Sequence, residues 1–365
     1  MEEKEQRLIT VSPQIHARTS TAQIMWTVIL CLVPAGIWGV WVYGTRVLAV
    51  LAVSLAAALA GEFLAGRIMG KMTLTDGSAF LTGLLIAYNV PAAVPLYVPA
   101  AASLFGILVV KWSFGGLGSN WMNPALAGRA FVFFSWTGGM TRWTLARQMG
   151  TGADMVSGAS PLGAVKTGIM DFTGHVSGSI DYLNQTGYQA TEISSRLADW
   201  LSGTLGWHTQ ALSWDLFLGF VPGSLGEVSA LLLILGAAVL FARKIITWEI
   251  PAAYIGSFAV LVGIFGGLRF GNGFFSGDIL FHLFSGGLIL GALFMATDMA
   301  TSPLTRKGML IYGVGCGFLT FLIRLYGSFP EGVSLAIILM NIFVPMINRY
   351  TGPVRFGLAA KGEDK

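Results

Sequence analysis

Two cysteines, four histidines and 11% charged side chains in 365 residues leave little of what soluble enzymes and nucleic-acid-binding proteins are built from. Cys31 and Cys316 both fall within apolar runs, so neither a disulfide framework nor a metal-ligand spacing follows from them. His16, His175, His208 and His282 are scattered, with no pair at helical spacing, which argues against a haem or zinc site. No Gly-x-Gly follows a strand pattern, so a dinucleotide fold is not indicated. The net charge of +4 has no basic cluster behind it and is read through membrane topology, not as a nucleic-acid signal. The polar stretch through Arg18 lacks the plan of a cleaved signal peptide. What the chain does have is apolar residues, 54% of the total with a mean hydropathy of +0.70, and this composition belongs to an all-α polytopic membrane protein.

Apolar runs that approach the roughly 20 residues needed to cross a bilayer fall at 23–43, 46–67, 78–94 and 95–112, with a shorter one at 124–138. After a polar interval at 139–212 come runs at 225–242, 250–268, 279–296, 308–325 and 332–348. The reading is ten spans, with 213–223 as a re-entrant or interfacial piece. Residues 1–22 and 349–365 form polar end segments, 23–138 a first membrane unit and 213–348 a second. With both ends in the cytoplasm, fifteen of the 22 Lys and Arg residues fall inside, Lys111 and Arg129 among them. The interval 139–212 is then extracytoplasmic.

The two membrane units carry related passages. Gly83-Leu84-Leu85-Ile86-Ala87-Tyr88-Asn89-Val90-Pro91 precedes a span and Phe114-Gly115-Gly116. Gly291-Ala292-Leu293-Phe294-Met295-Ala296-Thr297-Asp298 precedes a span and Tyr326-Gly327-Ser328. The spans run in opposite directions, so the repeat is inverted, five helices plus five, a plan that puts broken helices and binding sites near the midplane. Asp298 then corresponds to Asn89.

Four carboxylates lie in or beside spans, where ionisable groups are costly and point to function: Glu62, Glu227, Asp278 and Asp298. Glu62 lies near Arg67 at a span end, where the two pair or snorkel. Glu227 and Asp298 occupy Gly- and Thr-rich breaks and are candidates for an ion path or a cofactor niche. Lys111 through Ala125 sets glycines, two amides and a lysine at a membrane boundary. This is a cofactor or ion niche built from backbone groups, or, more plainly, a loop in which Asn120 and Asn123 cap the next helix.

In the polar interval, Asp154-Met155-Val156-Ser157-Gly158-Ala159-Ser160-Pro161-Leu162 surrounds one hydroxyl with small residues. Pro161 fits the first position of a helix through about Met170, with Ser160 as N-cap and an unshielded hydroxyl. A phosphate on that oxygen would meet free N–H groups and the positive end of the helix dipole, with Lys166 nearby.

This stretch resembles the Asp-x-x-(Ser/Thr)-Gly-Ala-(Ser/Thr) pattern of the RnfD/NqrB family of redox-complex membrane subunits, in which a flavin transferase attaches FMN to the last hydroxyl. The family residue is usually threonine; here it is Ser160, whose primary hydroxyl can form the same phosphoester. Four further runs resemble that family in order: Thr75 to Ala79, Lys111 to Ala125, Gly223 to Ser229 and Met295 to Pro303. The resemblance implies covalent FMN on Ser160, with Asp154, Ser157, Gly158 and Ala159 as the recognition sequence. It also implies a possible noncovalent riboflavin, a urea-channel-like fold, and a multi-pass subunit of a bacterial inner membrane. As implied partners it brings lipid, other Rnf subunits including a second FMN-bearing one, and the transferase. The implied work is electron relay between ferredoxin and NAD⁺ coupled to Na⁺ or H⁺ movement. The chain is more like the Rnf than the NqrB branch, because a long polar N-terminal extension is missing. A urea-channel-like transporter without redox chemistry is the reading from another class.

Overall fold

The computed structural model describes residues 19–146, 157–168, 176–188, 190–206, 209–329 and 331–352. Asp154 and Met170 lie outside the described residues.

Five helices are long and apolar enough to cross a membrane: α1 (Thr21–Tyr43), α2 (Arg46–Met69), α12 (Glu249–Phe265, tightening into a 3₁₀ turn to Phe270), α15 (Arg306–Leu325) and α16 (Val333–Thr351). Shorter apolar helices lie between them: α3 (Ser78–Tyr88), α4 (Tyr97–Leu104, widening into a π-helix over Phe105–Trp112), α5 (Pro124–Ser135) and α11 (Ala230–Ala242). The run at 279–296 is split into α13 (Ile279–Phe284) and α14 (Leu288–Leu290, widening into a π-helix over Gly291–Met295). The chain is an all-α, multi-pass membrane protein.

Packing is largely between helices close in the chain. Helix α2 lies against α3 and α4, and α4 against α5; α12 lies against α13 and α15, and α15 against α16. Across the two units, α1 pairs with α11 and α5 with α16. Helix α3 starts at one face of the membrane body and stops at Tyr88. Irregular chain then carries on to the other face, where the Arg46 Nε donates to the Ala92 carbonyl at 3.2 Å. Helices α13 and α14 run the other way, from that second face to Met295. The chain from Ala296 then reaches the first face, where Arg306 meets Glu249 at 3.4 Å. The two blunt ends meet inside: the Asn89 amide nitrogen lies 3.6 Å from the Met295 sulfur. Gly226 fills the remaining gap, because a side chain there would strike Leu290 and sit 2.8 Å from the Tyr88 carbonyl oxygen.

The polar interval folds on the second face, here called the loop face. It contains a short helix α6 (Thr137–Met140), a two-residue ladder of β1 (Trp143–Thr144) with β2 (Ser157–Gly158), and helices α7 (Pro161–Gly168), α8 (Ser179–Gln185) and α9 (Glu192–Leu205). Asp215 of α10 (Ala211–Leu218) accepts from the Thr191 N–H at 2.8 Å and its hydroxyl at 2.5 Å, tying α10 to the start of α9. After α10 the chain turns into the body as buried irregular segment 219–229. Trp38 and Tyr43 of α1 donate to the Leu218 carbonyl at the end of α10 and to the Val221 carbonyl of this segment, at 2.9 and 2.8 Å. The stretch 213–223, expected as one re-entrant or interfacial piece, is thus divided between α10 and the start of the buried segment.

Two expectations about charge change. Glu62 does not pair with Arg67, which is stacked on the Phe63 ring instead. Glu62 is 1% exposed and receives the Lys111 ammonium at 2.8 Å and the Trp112 indole N–H at 2.9 Å, with Thr73 also donating to it. Arg129 belongs to the loop-face half of α5, where it binds Glu331 and Ser334, so it is not an inner-face charge. Lys111 and Arg129 are both interior ion-pair partners and carry no topological signal.

Candidate functional site

Ser160 is the N-cap of α7, as its position before proline predicts: its hydroxyl oxygen accepts from the Gly163 N–H at 3.2 Å, and its carbonyl from Ala164 at 2.8 Å. Its hydroxyl is not unshielded, however. Ser160 is only 3% exposed, while Ala159 beside it is exposed. The β1–β2 ladder holds Ser157 and Gly158 against Thr144 and Trp143. A side chain at Gly158 would meet Leu145 at 2.9 Å and Pro222 at 3.7 Å. Small residues therefore serve close packing in this loop as well as access.

Helix α7 is clamped onto the membrane body. The Lys166 ammonium donates to the carbonyls of Ile323, Arg324 and Phe329 at 3.2, 3.0 and 2.6 Å, at and just beyond the C-terminal end of α15, where the helix dipole favours a cation. Burial, together with Arg269 and Arg324, pushes its pKa down to about 8. Lys166 thus anchors the far end of α7 and is not aimed at Ser160. Leu162 reaches Gly286, where an added Cβ would lie 2.8 Å from it and 3.2 Å from an Arg324 nitrogen.

A group esterified to Ser160 fits the chemistry of the place. The oxygen sits at a helix N-terminus, where a phosphate meets the Gly163 N–H and the positive end of the helix dipole; the cations Lys166 and Arg269 lie at the other end of α7, the Arg269 guanidinium 3.5 Å from the Lys166 carbonyl.

A second site lies at the opposite face. A cavity of about 90 Å³ is lined by Ser78, Lys111, Asn120, Asn123, Thr297 and Asp298 among apolar neighbours. Asn123 caps α5 through the Ala125 and Leu126 N–H groups at 3.0 and 3.4 Å, and its amide donates to the Met295 carbonyl at 3.3 Å. The Asn120 side-chain oxygen is buried with no hydrogen-bond partner among the described residues. Asp298 caps its own turn, accepting from Ala300 N–H at 3.3 Å and the Thr301 hydroxyl at 3.2 Å, and makes no ion pair among the described residues. The stretch from Lys111 to Ala125 is therefore both a capping loop and a cavity wall. Asp278, by contrast, is structural: it caps α13 at Phe281 N–H, 3.2 Å, and accepts from Ile180 N–H at 3.3 Å.

Glu227 is 6% exposed and closes a capping box with Ser224, whose N–H and hydroxyl reach it at 3.2 and 2.9 Å. Glu331 and Arg324 were not singled out in the sequence, and Arg129 was counted there only as a topological charge. Arg129 and Glu331 are 202 residues apart, and no local pattern connects them.

Residues 8–357 match the model of the NQR2, RnfD, RnfE family. The chain belongs to that family. It is 41% identical, over 96% of each chain, to the D component of the proton-translocating ferredoxin:NAD(+) oxidoreductase complex of Clostridium ljungdahlii. It is 38% identical, over 96% of this chain and 95% of the relative, to the D component of the Na(+)-translocating ferredoxin:NAD(+) oxidoreductase complex of Acetobacterium woodii. It is 36% identical, over 95% of each, to the D component of the ion-translocating oxidoreductase complex of Stutzerimonas stutzeri. The first two relatives are thus named for complexes that translocate different ions.

Proposed function

We propose that this chain is the RnfD component of an Rnf-type complex in a bacterial inner membrane, relaying electrons through FMN esterified to Ser160. On this reading, electron transfer between ferredoxin and NAD⁺ is coupled to Na⁺ or H⁺ movement. The observation that carries it is the buried N-cap hydroxyl at Ser160, at the end of an Asp154-to-Ser160 sequence. Bound FMN supplies the one-electron chemistry. The chain's own residues do the rest: Gly163 N–H orients the ester oxygen, Lys166 and Leu162 fix α7 to the body, and the ladder at Ser157 and Gly158 fixes the approach. Asp154, Ser157, Gly158 and Ala159 form the transferase's recognition sequence. The partners are the other Rnf subunits, a second FMN-bearing one above all. In-gel flavin fluorescence of the purified chain tests the reading: a fluorescent band is expected, and a dark band from a flavin-competent host would leave a channel-like transporter as the better account.

The loop face is extracytoplasmic on this reading. Asn184→Cys places a thiol on exposed α8, with only a 3.3 Å contact to Gln210 to lose. An impermeant maleimide is expected to label it from the outside of intact cells; labelling only after lysis or in inverted vesicles would reverse the topology and the position of the flavin.

Asp298 belongs to the coupling machinery. A carboxylate in a half-buried cavity without an ion-pair partner is costly unless a mobile cation visits it. Asp298→Asn keeps the turn but removes the charge, so ion pumping in sealed vesicles should fall several-fold more than electron transfer. Unchanged pumping would make Asp298 a capping residue only.

A further inference from the structure

Between α1 and α11 a groove of about 430 Å³ runs along the outside of the membrane body. Helix α11 starts at the buried Ser229, in the interior, and runs to the first face, opposite the loop face. Gly236 lets α11 touch α1: an added Cβ there would sit 2.6 Å from the Cys31 carbonyl oxygen. The contact makes a floor of Gly236 and Cys31, both buried, with walls of Leu30 and Pro34 on one side and Leu235 and Val239 on the other. Leu30, Leu235 and Val239 are 68%, 54% and 47% exposed, so the walls stand open to the membrane. The groove ends at Arg243, the residue after the last turn of α11. Arg243 and Lys244 are both exposed, and neither side chain makes a hydrogen bond or ion pair among the described residues. No carboxylate lines the groove, and Glu249 beyond it is taken by Arg306 at 3.4 Å. Trp248, 61% exposed, follows at the same end, as indole rings do at a membrane boundary.

We propose that this groove holds an acyl chain of an anionic phospholipid, with the headgroup phosphate on Arg243 and Lys244 beside it. The dimensions agree. From Leu232 to Arg243 the wall of α11 is about 16 Å long at roughly 1.5 Å per residue, and one leaflet of a bilayer has about 15 Å of hydrocarbon. An acyl chain laid along the valley therefore ends where the guanidinium stands. A planar guanidinium takes a phosphate through two parallel hydrogen bonds, and basic pockets between membrane helices select anionic headgroups. Two cations with no carboxylate among them offer nothing to the ammonium of a zwitterionic headgroup. A helix of another subunit would ask for something different. Helices pack in lipid through small residues that bring backbones together, and here the small residues are already spent on the α1–α11 contact, leaving leucine, valine and proline at the rim. Helices α1 and α11 belong to different membrane units, so the lipid lies over the seam between them.

The assignment goes beyond the proposed function and does not depend on it, because lipid binding is read without flavin or turnover. The full-length chain, purified and delipidated in detergent, is titrated with dioleoylphosphatidylglycerol or dioleoylphosphatidylcholine and followed by native mass spectrometry. Wild type is expected to prefer the phosphatidylglycerol by about fivefold or more, and Arg243→Gln to lose that preference. Val239→Trp, which fills the groove beneath an intact cation, should weaken binding of both lipids. Lys307→Gln removes an exposed cation on the same face but outside the groove, and should change neither. Phosphatidylglycerol binding that is equal in wild type and in Arg243→Gln overturns the assignment, and so does binding that Val239→Trp leaves untouched. Arg243 has no side-chain partner to lose, so Arg243→Gln should fold; if Val239→Trp does not accumulate, the comparison of Arg243→Gln with Lys307→Gln still decides. In intact membranes, p-benzoylphenylalanine in place of Leu235 is expected to photocross-link to a phospholipid. A cross-link to another subunit, or to a second copy of this chain, gives the groove a different occupant and refutes the proposal.

Discussion

Ser160→Ala is expected to give a chain that inserts into the membrane at near wild-type levels and carries no covalent flavin. The loss of fluorescence in a denaturing gel should be complete, because an ester cannot form without the oxygen. The stability cost is small by comparison: removing an N-cap hydroxyl typically costs about 1 kcal/mol, and the five long helices are untouched. Ser160→Thr should keep the flavin, since threonine caps a helix almost as well and offers an equivalent hydroxyl. Its extra methyl must be placed where the wild-type side chain is 3% exposed, so reduced occupancy is expected, not loss. Mass spectrometry locating the FMN on Ser157, or a fluorescent Ser160→Ala band, would refute the attachment site.

Lys111→Met is expected to be the most destabilising single change in the opposite half. It strands the Glu62 carboxylate, 1% exposed, with the Trp112 and Thr73 donors and no counter-charge. It also removes a 2.7 Å bond to the Ser78 hydroxyl, which in turn donates to Asp76 at 2.5 Å at the head of α3. Breaking a buried pair by removing one partner costs about 3–5 kcal/mol. The thermal midpoint in detergent should drop by several degrees, and the yield of folded chain should fall. Adding Glu62→Gln to Lys111→Met should recover most of the loss, because the neutral amide no longer needs a cation. No recovery would mean that Lys111 acts through Ser78 and the cavity instead of through Glu62.

The local features of the site were legible because their signals are local. Ser-Pro at 160–161 and Asn-Pro at 123–124 both announce helix starts, and both residues cap as expected. The apolar runs located the membrane helices, and the Gly- and Thr-rich breaks located Glu227 and Asp298 in turns inside the body. Partners across the fold were not legible. Glu62 finds Lys111 over a separation of 49 residues while Arg67, five positions away, turns out to a ring; nothing in a one-dimensional pattern distinguishes those outcomes. The same holds for Arg129, read as a boundary charge and found bound to Glu331. Lys166 was read as serving a phosphate at Ser160, but a helix places it on the last turn of α7, nearer to the carbonyls that end α15.

The burial of Ser160 has a bearing on how the protein is made. An enzyme that attaches a bulky cofactor needs room on every side of its target oxygen, and a side chain folded beneath α7 offers none. On the proposed reading, attachment at Ser160 would have to precede the closing of Lys166 on the carbonyls of Ile323, Arg324 and Phe329, and biosynthesis would acquire a direction: loading first, docking second.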